Sequence, residues 1–350
     1  MKLPFANRVR ATEKAFFIRQ VATMLQAGLP LLRALSIVTE QTRNKYFQTI
    51  LANIANRVKE GYQLSKAMSE YGDVFPIVFT AVIRSGETTG RLDAVMMELA
   101  NQQEEENRFR GGVLNAMLYP AFIVVAMLVI GFYLVFQVIP QIAVIFAEQQ
   151  AQLPWVTKVL LNVVHLLSSY WYVALLLAAG GGWGIHAFFK TDEGARLWSR
   201  TLIKVPIVKN LSTGIYVTRF ARTMAMLTRS GVPVLESVEI VRDSVNNTLF
   251  RESMGDIRAS LERGLPMSKP LMENQIWPPL VGQMVLVGEQ SGKVDEVLDS
   301  VANYYEDQVS TSIKGLSALI EPVLVVILGL GVAFIVFAVF IPIYQLSAII

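Results

Sequence analysis

The chain has 350 residues, of which 53% are hydrophobic and only 17% are charged, and its mean hydropathy is +0.43. The net charge of +3 is too small to indicate a nucleic-acid-binding protein, and the lack of cysteine excludes disulfides and thiolate metal sites. Three stretches contain no Asp, Glu, Lys or Arg, at residues 111–147, 159–189 and 322–350. Each is longer than the roughly 20 apolar residues that a helix needs to cross a bilayer, so the composition predicts a membrane protein.

The predicted architecture is an all-α membrane protein with two homologous cytoplasmic helical bundles of about six helices each and three transmembrane helices. In chain order the segments are bundle 1 (1–117), a transmembrane helix (118–139), an external segment (140–169), a second transmembrane helix (170–189), bundle 2 (190–319), a third transmembrane helix (320–344) and an external tail (345–350). Of the 31 Lys and Arg residues, 15 lie in 1–117 and 15 in 190–319. Because positive charge favours the cytoplasmic side, both bundles and the N-terminus are predicted to be cytoplasmic.

The first helix of each bundle is predicted to end at a tight corner. Apolar residues spaced i, i+4 and i+7 give it one apolar face, at Phe17, Val21 and Met24 in bundle 1 and at Phe220, Met224 and Leu227 in bundle 2. Gly28 and Gly231 then follow where a helix ends in a left-handed residue. Pro30 and Pro233 come next, as proline does in the first turn of a helix. These four residues are therefore predicted to form structural corners.

The similar corners of the two bundles belong to an internal sequence repeat. Eight residues recur 203 positions later: Phe17, Arg19, Ala22, Gly28, Pro30, Leu32, Ile37 and Val38. After the loss of one residue the offset becomes 202, and the match continues through Pro120 and Pro140, which recur as Pro322 and Pro342. The repeated unit is thus a bundle together with the membrane helix that follows it. The helix at 170–189 lies outside the repeat and returns the chain to the cytoplasm.

A second recurring pattern, Gly-Glu-x-x-Gly-x-x-Asp, contains acidic residues. Together with the acid at the start of the last membrane helix it supplies the candidate partner or oligomer contacts: Gly86, Glu87, Gly90, Asp93, Gly288, Glu289, Gly292, Asp295 and Glu321. One interpretation is helix capping and dipole compensation around the corner, and it is favoured because carboxylates are common beside helix starts. The other is a contact site for a basic partner or a divalent ion between subunits. For Glu321 the alternatives are a place at the lipid headgroups or a cationic partner.

Enzyme chemistry is not indicated by any motif. Residues 288–293 superficially resemble a phosphate-binding loop, but three residues separate the glycines and Val294 follows the lysine, where such a loop needs four residues and then Ser or Thr. The two histidines, His165 and His186, lie apart from the acidic residues. We therefore expect no catalytic residue, no cofactor and no metal site. The acidic run 104–106 is predicted to be a solvated helix face.

The chain resembles the inner-membrane platform proteins of type II secretion and type IV pilus systems. The resemblance lies in three features: the Ala-Gly-Leu-Pro and Ser-Gly-Val-Pro corners, the Gly-Glu-x-x-Gly-x-x-Asp pattern, and the Glu-Pro that opens the last span. The resemblance extends from residue 12 to residue 344. The chain is shorter at its N-terminus than the longer members, which carry an extra cytoplasmic segment there. In this it is similar to the type IVb and conjugative-pilus branch.

The resemblance implies a non-enzymatic homo-oligomer in the bacterial inner membrane, with a cytoplasmic N-terminus, and with the external segments and the C-terminus in the periplasm. The implied partners are a hexameric cytoplasmic assembly ATPase, pilins or pseudopilins, other inner-membrane assembly proteins and membrane lipid, but no nucleic acid. The main alternative from another class is an oligomeric membrane transporter or channel, because internal repeats and small-residue spans occur there too. A receptor or scaffold for a different cytoplasmic motor is a further alternative.

Overall fold

In the computed structural model, the residues described are 9–133, 206–245 and 247–347, with a few isolated positions between 136 and 194. Within them, twelve helices have defined bounds and no β-strand occurs. The first six are α1 (Ala11–Gln26), α2 (Leu31–Gln41), α3 (Lys45–Lys59), α4 (Leu64–Ser69), α5 (Ile77–Thr89) and α6 (Leu92–Tyr133). The second six are α7 (Pro206–Arg229), α8 (Val234–Ser244), α9 (Thr248–Glu262), α10 (Ser268–Glu273), α11 (Pro279–Ser291) and α12 (Val294–Ser347). The prediction of an all-helical chain is confirmed for this part.

The chain divides into two compact units. One contains residues 1–112 and 195–311, and the other contains residues 113–194 and 312–350. Both copies of the repeated helical domain therefore belong to the first unit. Within that unit the helices correspond in order, α1 to α7 through α6 to α12, and neighbouring helices of each copy pack against one another in the same sequence.

The corner between the first two helices has the same geometry in both copies. Gly28 has φ 82°, and the amide of Leu29 donates to the Met24 carbonyl at 2.9 Å, which closes a left-handed helix end of the Schellman type. Gly231 also has φ 82°. Pro30 and Pro233 each lie immediately before the next helix rather than inside its first turn. The ring fixes φ, at −59° for Pro30 and −54° for Pro233, and ψ of 140° at both places them outside the helix as N-cap residues, so each helix begins one residue later than the sequence indicated.

Three phenylalanine rings form the centre of the first copy's core. Phe17 of α1, Phe47 of α3 and Phe75 in the segment before α5 are each 1% exposed. Their ring centroids lie 5.7 to 6.2 Å apart in tilted and edge-on arrangements. Each such pair adds about 1 kcal/mol to the stabilisation from burial, so this cluster holds three segments together.

The second copy has the same cluster with one ring replaced. Trp277 occupies the third position, with its centroid 4.8 Å from that of Phe220 and 5.0 Å from that of Phe250. The indole Nε1–H donates to the hydroxyl of the buried Ser253 at 2.6 Å, whereas the equivalent position in the first copy is Ile50. A buried indole needs a hydrogen-bond acceptor. The two differences between the copies, Phe75 against Trp277 and Ile50 against Ser253, therefore belong together.

Two helices of the described residues are long and apolar enough to cross a membrane. α6 contains an apolar stretch with mean hydropathy 2.4, none of it buried, and the apolar stretch of α12 has mean hydropathy 2.3 and is 7% buried. They fall where the first and third transmembrane helices were predicted. The predicted helix at 170–189, the segment 140–169, His165 and His186 lie outside the described residues except at isolated positions, so the second span stays a prediction.

Candidate functional site

The first acidic corner holds a neighbouring helix in place. Helix α5 is followed by the C-cap residue Gly90, which has φ 71°, and Glu87 lies in the last turn of the helix. The carboxylate of Glu87 accepts hydrogen bonds from the amides of Leu64 and Ser65 and from the Ser65 hydroxyl. Both amides belong to the first turn of α4, where backbone N–H groups lack partners within the helix. Glu87 therefore caps α4 from another helix, rather than the corner on which it lies.

Glu289 makes the equivalent contacts in the second copy. Its carboxylate accepts from the Met267 amide at 2.6 Å, from the Ser268 amide at 3.3 Å and from the Ser268 hydroxyl. These groups lie at the start of α10, and the C-cap residue after α11 is Gly292, with φ 70°. Both glutamates are partly buried by these contacts. The repeated acid is thus a tertiary cap in each copy, which the expected capping of the adjacent corner did not anticipate.

The first glycine of each corner allows two helices to cross closely. A Cβ atom on Gly86 would lie 2.2 Å from Val95 Cγ2 and 3.2 Å from the Cα of Leu92. A Cβ atom on Gly288 would lie 3.1 Å from the Cα of Val294. Real Cβ atoms do not approach as closely as 2.2 Å, and a distance of 3.1 Å is tight, so glycine suits the crossing of α5 with α6 and that of α11 with α12.

The remaining predicted acids lie in the last helix of each copy. Asp93 and Asp295 occupy the first turns of α6 and α12, where a negative charge is favourable. Asp295 Oδ2 also lies 3.6 Å from Arg229 Nε. Glu321 belongs to α12, but its side chain is outside the part that the structure describes. Among the described residues, no group of three His, Asp or Glu side chains is arranged to hold a metal ion.

A polar network that the sequence interpretation missed connects the first and last helices of each copy. In the first, Arg19 Nε lies 2.7 Å from Glu104 Oε1, and its Nη2 donates to Asn101 Oδ1 at 2.7 Å. The hydrogen bond between Arg19 and Glu104 lowers the pKa of Glu104 below its ordinary value. The acidic run was predicted to be a solvated helix face, and that interpretation did not anticipate that Glu104, while still in contact with solvent, pairs with Arg19. Arg19, Asn101 and Glu104 all recur in the repeat, and that recurrence was the available signal.

In the second copy the network is larger. Arg222 lies 2.6 Å from Glu306 and 2.9 Å from Asp299, and it donates to Asn303 at 2.8 Å. Burial alone would lower the pKa of Arg222, but the surrounding carboxylates outweigh burial and raise it. Arg222 also lies 3.6 Å from Glu105 of the first copy, so the network continues across the contact between the two copies.

The contact between the copies joins the α5 and α6 face of the first to the α7 and α8 face of the second. Arg84 forms an ion pair with Glu236, and the Ser85 hydroxyl donates to the Ser230 carbonyl at 2.5 Å. Arg229 Nη1 lies 2.8 Å from Glu98. This contact therefore uses the second copy's Ser-Gly-Val-Pro corner.

A cavity of about 400 Å³ lies along this contact. Its apolar wall includes Phe79 of α5 and Met226 of α7, and its polar wall includes Glu106 and Arg219. The Oγ1 atom of Thr218, which also lines the cavity, is buried and has no hydrogen-bond partner among the described residues. Residues of both copies line the cavity, so the contact between them is incompletely filled there.

Comparison with known proteins gives the same repeat boundaries. The family model "Type II secretion system (T2SS), protein F" matches the chain twice, at residues 17–140 and 220–342. The chain belongs to the protein F family. Each match covers one helical copy and the apolar helix that follows it, so a repeat unit of a helical copy plus an apolar helix is confirmed.

Relatives in this family align over nearly the whole chain. A type IV pilus assembly protein PilC of Thermus thermophilus is 34% identical over 95% of this chain and 82% of its own length. The type II secretion system protein F of Aeromonas hydrophila is 31% identical over 98% and 88%. That of Pseudomonas aeruginosa is 30% identical over 100% and 86%. The predicted resemblance to secretion and pilus assembly proteins is confirmed, while the narrower branch stays a prediction.

Proposed function

We propose that this chain is the inner-membrane platform of a pilus or type II secretion assembly machine. In this role it couples a cytoplasmic hexameric ATPase to the extraction of pilins or pseudopilins from the membrane and to fibre polymerisation. The observation that supports the proposal best is the double match to the protein F family, because each match joins a helical copy to an apolar helix. The platform is a non-enzymatic homo-oligomer that also contacts other inner-membrane assembly proteins and lipid.

The mechanical part of the proposal rests on helix continuity. α6 is one helix of 42 residues and α12 one helix of 54 residues. In each copy the Arg–Glu network ties the polar part of that helix to the first helix of the same copy. A displacement of the helical copy would therefore pass directly into the apolar part of the helix. The ATPase would supply the work and this chain would transmit it.

The acidic corners are the proposed contact points for the ATPase or for neighbouring assembly subunits. Glu87 and Glu289 are engaged in capping, so the groups available to a partner are their exposed neighbours. Arg91 beside Gly90 and Lys293 beside Gly292 are both exposed. Glu87 and Glu289 would hold α4 and α10 in place beside these corners while the two cations meet an acidic partner surface.

The test is pilus assembly or secretion by cells that carry variants of the full-length chain, together with recovery of the assembly ATPase after mild detergent extraction. Arg91→Glu and Lys293→Glu are expected to reduce ATPase recovery and fibre assembly. Arg43→Glu, an exposed charge reversal in the loop between α2 and α3, is the matched control. Normal recovery and assembly by the Arg91→Glu/Lys293→Glu double variant would reject the corners as the contact.

Charge reversal of Glu289 is a weaker test because it also removes the cap of α10. The transporter alternative has its own measurement, since substrate-specific flux into liposomes by the purified chain would favour it. Failure to recover an assembly ATPase or pilins with the wild-type chain would instead favour a scaffold for another motor.

A further inference from the structure

The contact between the two copies is heterologous. The α5 and α6 face of the first copy meets the α7 and α8 face of the second, and α7 and α8 are the equivalents of α1 and α2. Two equivalent faces therefore stay outside this contact, the α11 and α12 face of the second copy and the α1 and α2 face of the first. A heterologous contact can be repeated by the next subunit, and it then builds a ring or a filament.

The face formed by α11 and α12, which lies outside the contact between the copies, is called the free face of the second copy. It carries apolar side chains at positions where the equivalent face of α5 and α6 contacts the other copy. Val287 is 54% exposed, and its equivalent in the first copy is Ser85, which bonds the second copy's corner. Tyr304 is 55% exposed, and its equivalent is Gln102, which lines the cavity between the copies. Exposed valine and tyrosine side chains at positions that are interfacial in the other copy indicate a protein contact.

The free face on α1 and α2 has matching features. Phe16 is 52% exposed, and its equivalent, Arg219, lines the cavity between the copies. Ala27 is the equivalent of Ser230, whose carbonyl accepts the hydrogen bond from Ser85. A small residue beside the Gly28 corner would leave room for the branched side chain of Val287.

Charge complementarity is retained at the edge of the contact. The ion pair between Glu105 and Arg222 has Asp307 and Arg19 as its equivalents, with the same signs on the same faces. Asp307 is exposed. A pair of opposite charges at the rim sets the orientation of a contact more than its strength.

The ion pair between Arg84 and Glu236 is not repeated on the two free faces. The residues equivalent to Arg84 and Glu236 there are Leu286 and Arg33, so an apolar side chain would face the aliphatic stem of an arginine. Long cationic side chains cover apolar surface in this way while their charge stays in water. The free pair of faces is therefore more apolar than the contact within the chain, as expected for a contact between chains.

We propose that chains associate head to tail through these faces, with α11 and α12 of one chain against α1 and α2 of the next, so that the contact between the copies recurs between chains. The occupant of the free face is thus a second copy of this chain. The inference rests on the proposed function only in needing a homo-oligomer, and it names the surfaces that form one.

The lack of cysteine makes the test direct, because introduced thiols have no competitors. One tagged chain carries Ala27→Cys and a second, differently tagged, carries Val287→Cys. Co-expressed in the membrane as full-length chains, they are expected to form a disulfide between the two tags under mild oxidation, while neither variant alone does so. Ser85→Cys with Ser230→Cys in one chain is the positive control for the contact within the chain. Met272→Cys, an exposed position on α10, replaces Val287→Cys as the negative control.

A disulfide between two Val287→Cys chains would overturn the proposal, because it requires a two-fold contact. If the wild-type chain is an oligomer but the co-expressed Ala27→Cys and Val287→Cys chains form no disulfide, the proposal is overturned too. Val287→Asp and Phe16→Asp are expected to weaken association of the detergent-solubilised chain at least about tenfold by mass photometry, and Met272→Asp to leave it unchanged. Unchanged association in both aspartate variants would count against these faces.

The outcomes separate this inference from the proposed platform. A monomeric wild-type chain contradicts both. An oligomer without the expected disulfide contradicts only the head-to-tail contact. The expected disulfide without recovery of an ATPase or pilins supports the contact and contradicts the platform.

Discussion

The two copies of the repeat are nearly the same inside and different outside. Both place an asparagine at the start of the third helix, where Asn44 and Asn247 each accept two backbone hydrogen bonds. Both cap the fourth helix with a glutamate from the fifth and tie the first helix to the sixth with an arginine. The fifth helices differ on their outer faces, because α5 contacts the other copy and α11 exposes apolar side chains.

This difference separates what the fold requires from what assembly uses. The interior contacts present in both copies each satisfy a backbone group, fill the core or permit a close crossing of helices. The outer face has changed from Arg84 and Ser85 to Leu286 and Val287 without altering the helix beneath it.

The aromatic core offers the largest effect. Ser253→Ile would overfill the core beside Trp277 and remove the acceptor of the indole N–H, at a cost of about 3 kcal/mol. Trp277→Phe alone would cost about 2 kcal/mol because it leaves a void and an unbonded hydroxyl. The double variant recreates the first copy's arrangement and is expected to recover most of the loss. Hydrogen exchange of α9 in the detergent-solubilised full chain measures these opening free energies.

The control is Ile50→Ser, which introduces the serine without an indole to bond it and should destabilise the first copy. A double variant as unstable as the sum of its single variants would show that the two positions are independent, contrary to the inference that the two differences belong together.

The tertiary caps give the next effect. Glu87→Ala and Glu289→Ala each remove charged hydrogen bonds from the start of a short helix, and each is expected to cost about 2 kcal/mol locally. Faster exchange should appear at the amides of Leu64 and Ser65 in one case and of Met267 and Ser268 in the other. Thr88→Ala, an exposed neighbour on α5, is the control and should leave α4 protected. Equal protection in all variants would show that these carboxylates do not hold the helices.

The sequence predicted features that depend on residues close together in the chain, and it missed contacts between residues that are far apart in the chain. The corners at Gly28 and Gly231 follow from backbone freedom within a few residues, so the pattern alone located them. The target of Glu87 lies 22 to 23 residues away in the chain, and nothing in the corner sequence indicates α4. The contact of α5 with α8 is further still, and repeated sequences do not show which copy's face is covered.

The helix crossings at Gly86 and Gly288 differ in which atoms an added Cβ would meet. Gly86→Ala is expected to cost about 2 kcal/mol because its Cβ would meet a methyl group of Val95, and Val95→Ala in the same chain should relieve part of that cost. Gly288→Ala would meet the backbone of Val294, so Val297→Ala should give no comparable relief. Thermal unfolding of the full chain in detergent, followed by circular dichroism, measures both. Equal relief in the two copies would mean that the crossings do not differ.

The smallest expected effect is the pH dependence of the Arg19–Glu104 pair. The hydrogen bond from Arg19 lowers the pKa of Glu104 below its ordinary value of 4.5, so the folded state binds this proton less readily than the unfolded state. The stabilisation is therefore complete above pH 4.5 and declines as the pH falls through the lowered pKa. Because the carboxylate is largely exposed, solvent screening keeps the effect small. Glu104→Gln should flatten that acid decline in the exchange of α1, whereas Arg108→Gln, which removes only a 3.8 Å ion pair with Glu104, should leave most of it. An unchanged decline in Glu104→Gln would assign it to other carboxylates, and the network of the first copy would then be a positional contact without titration linkage.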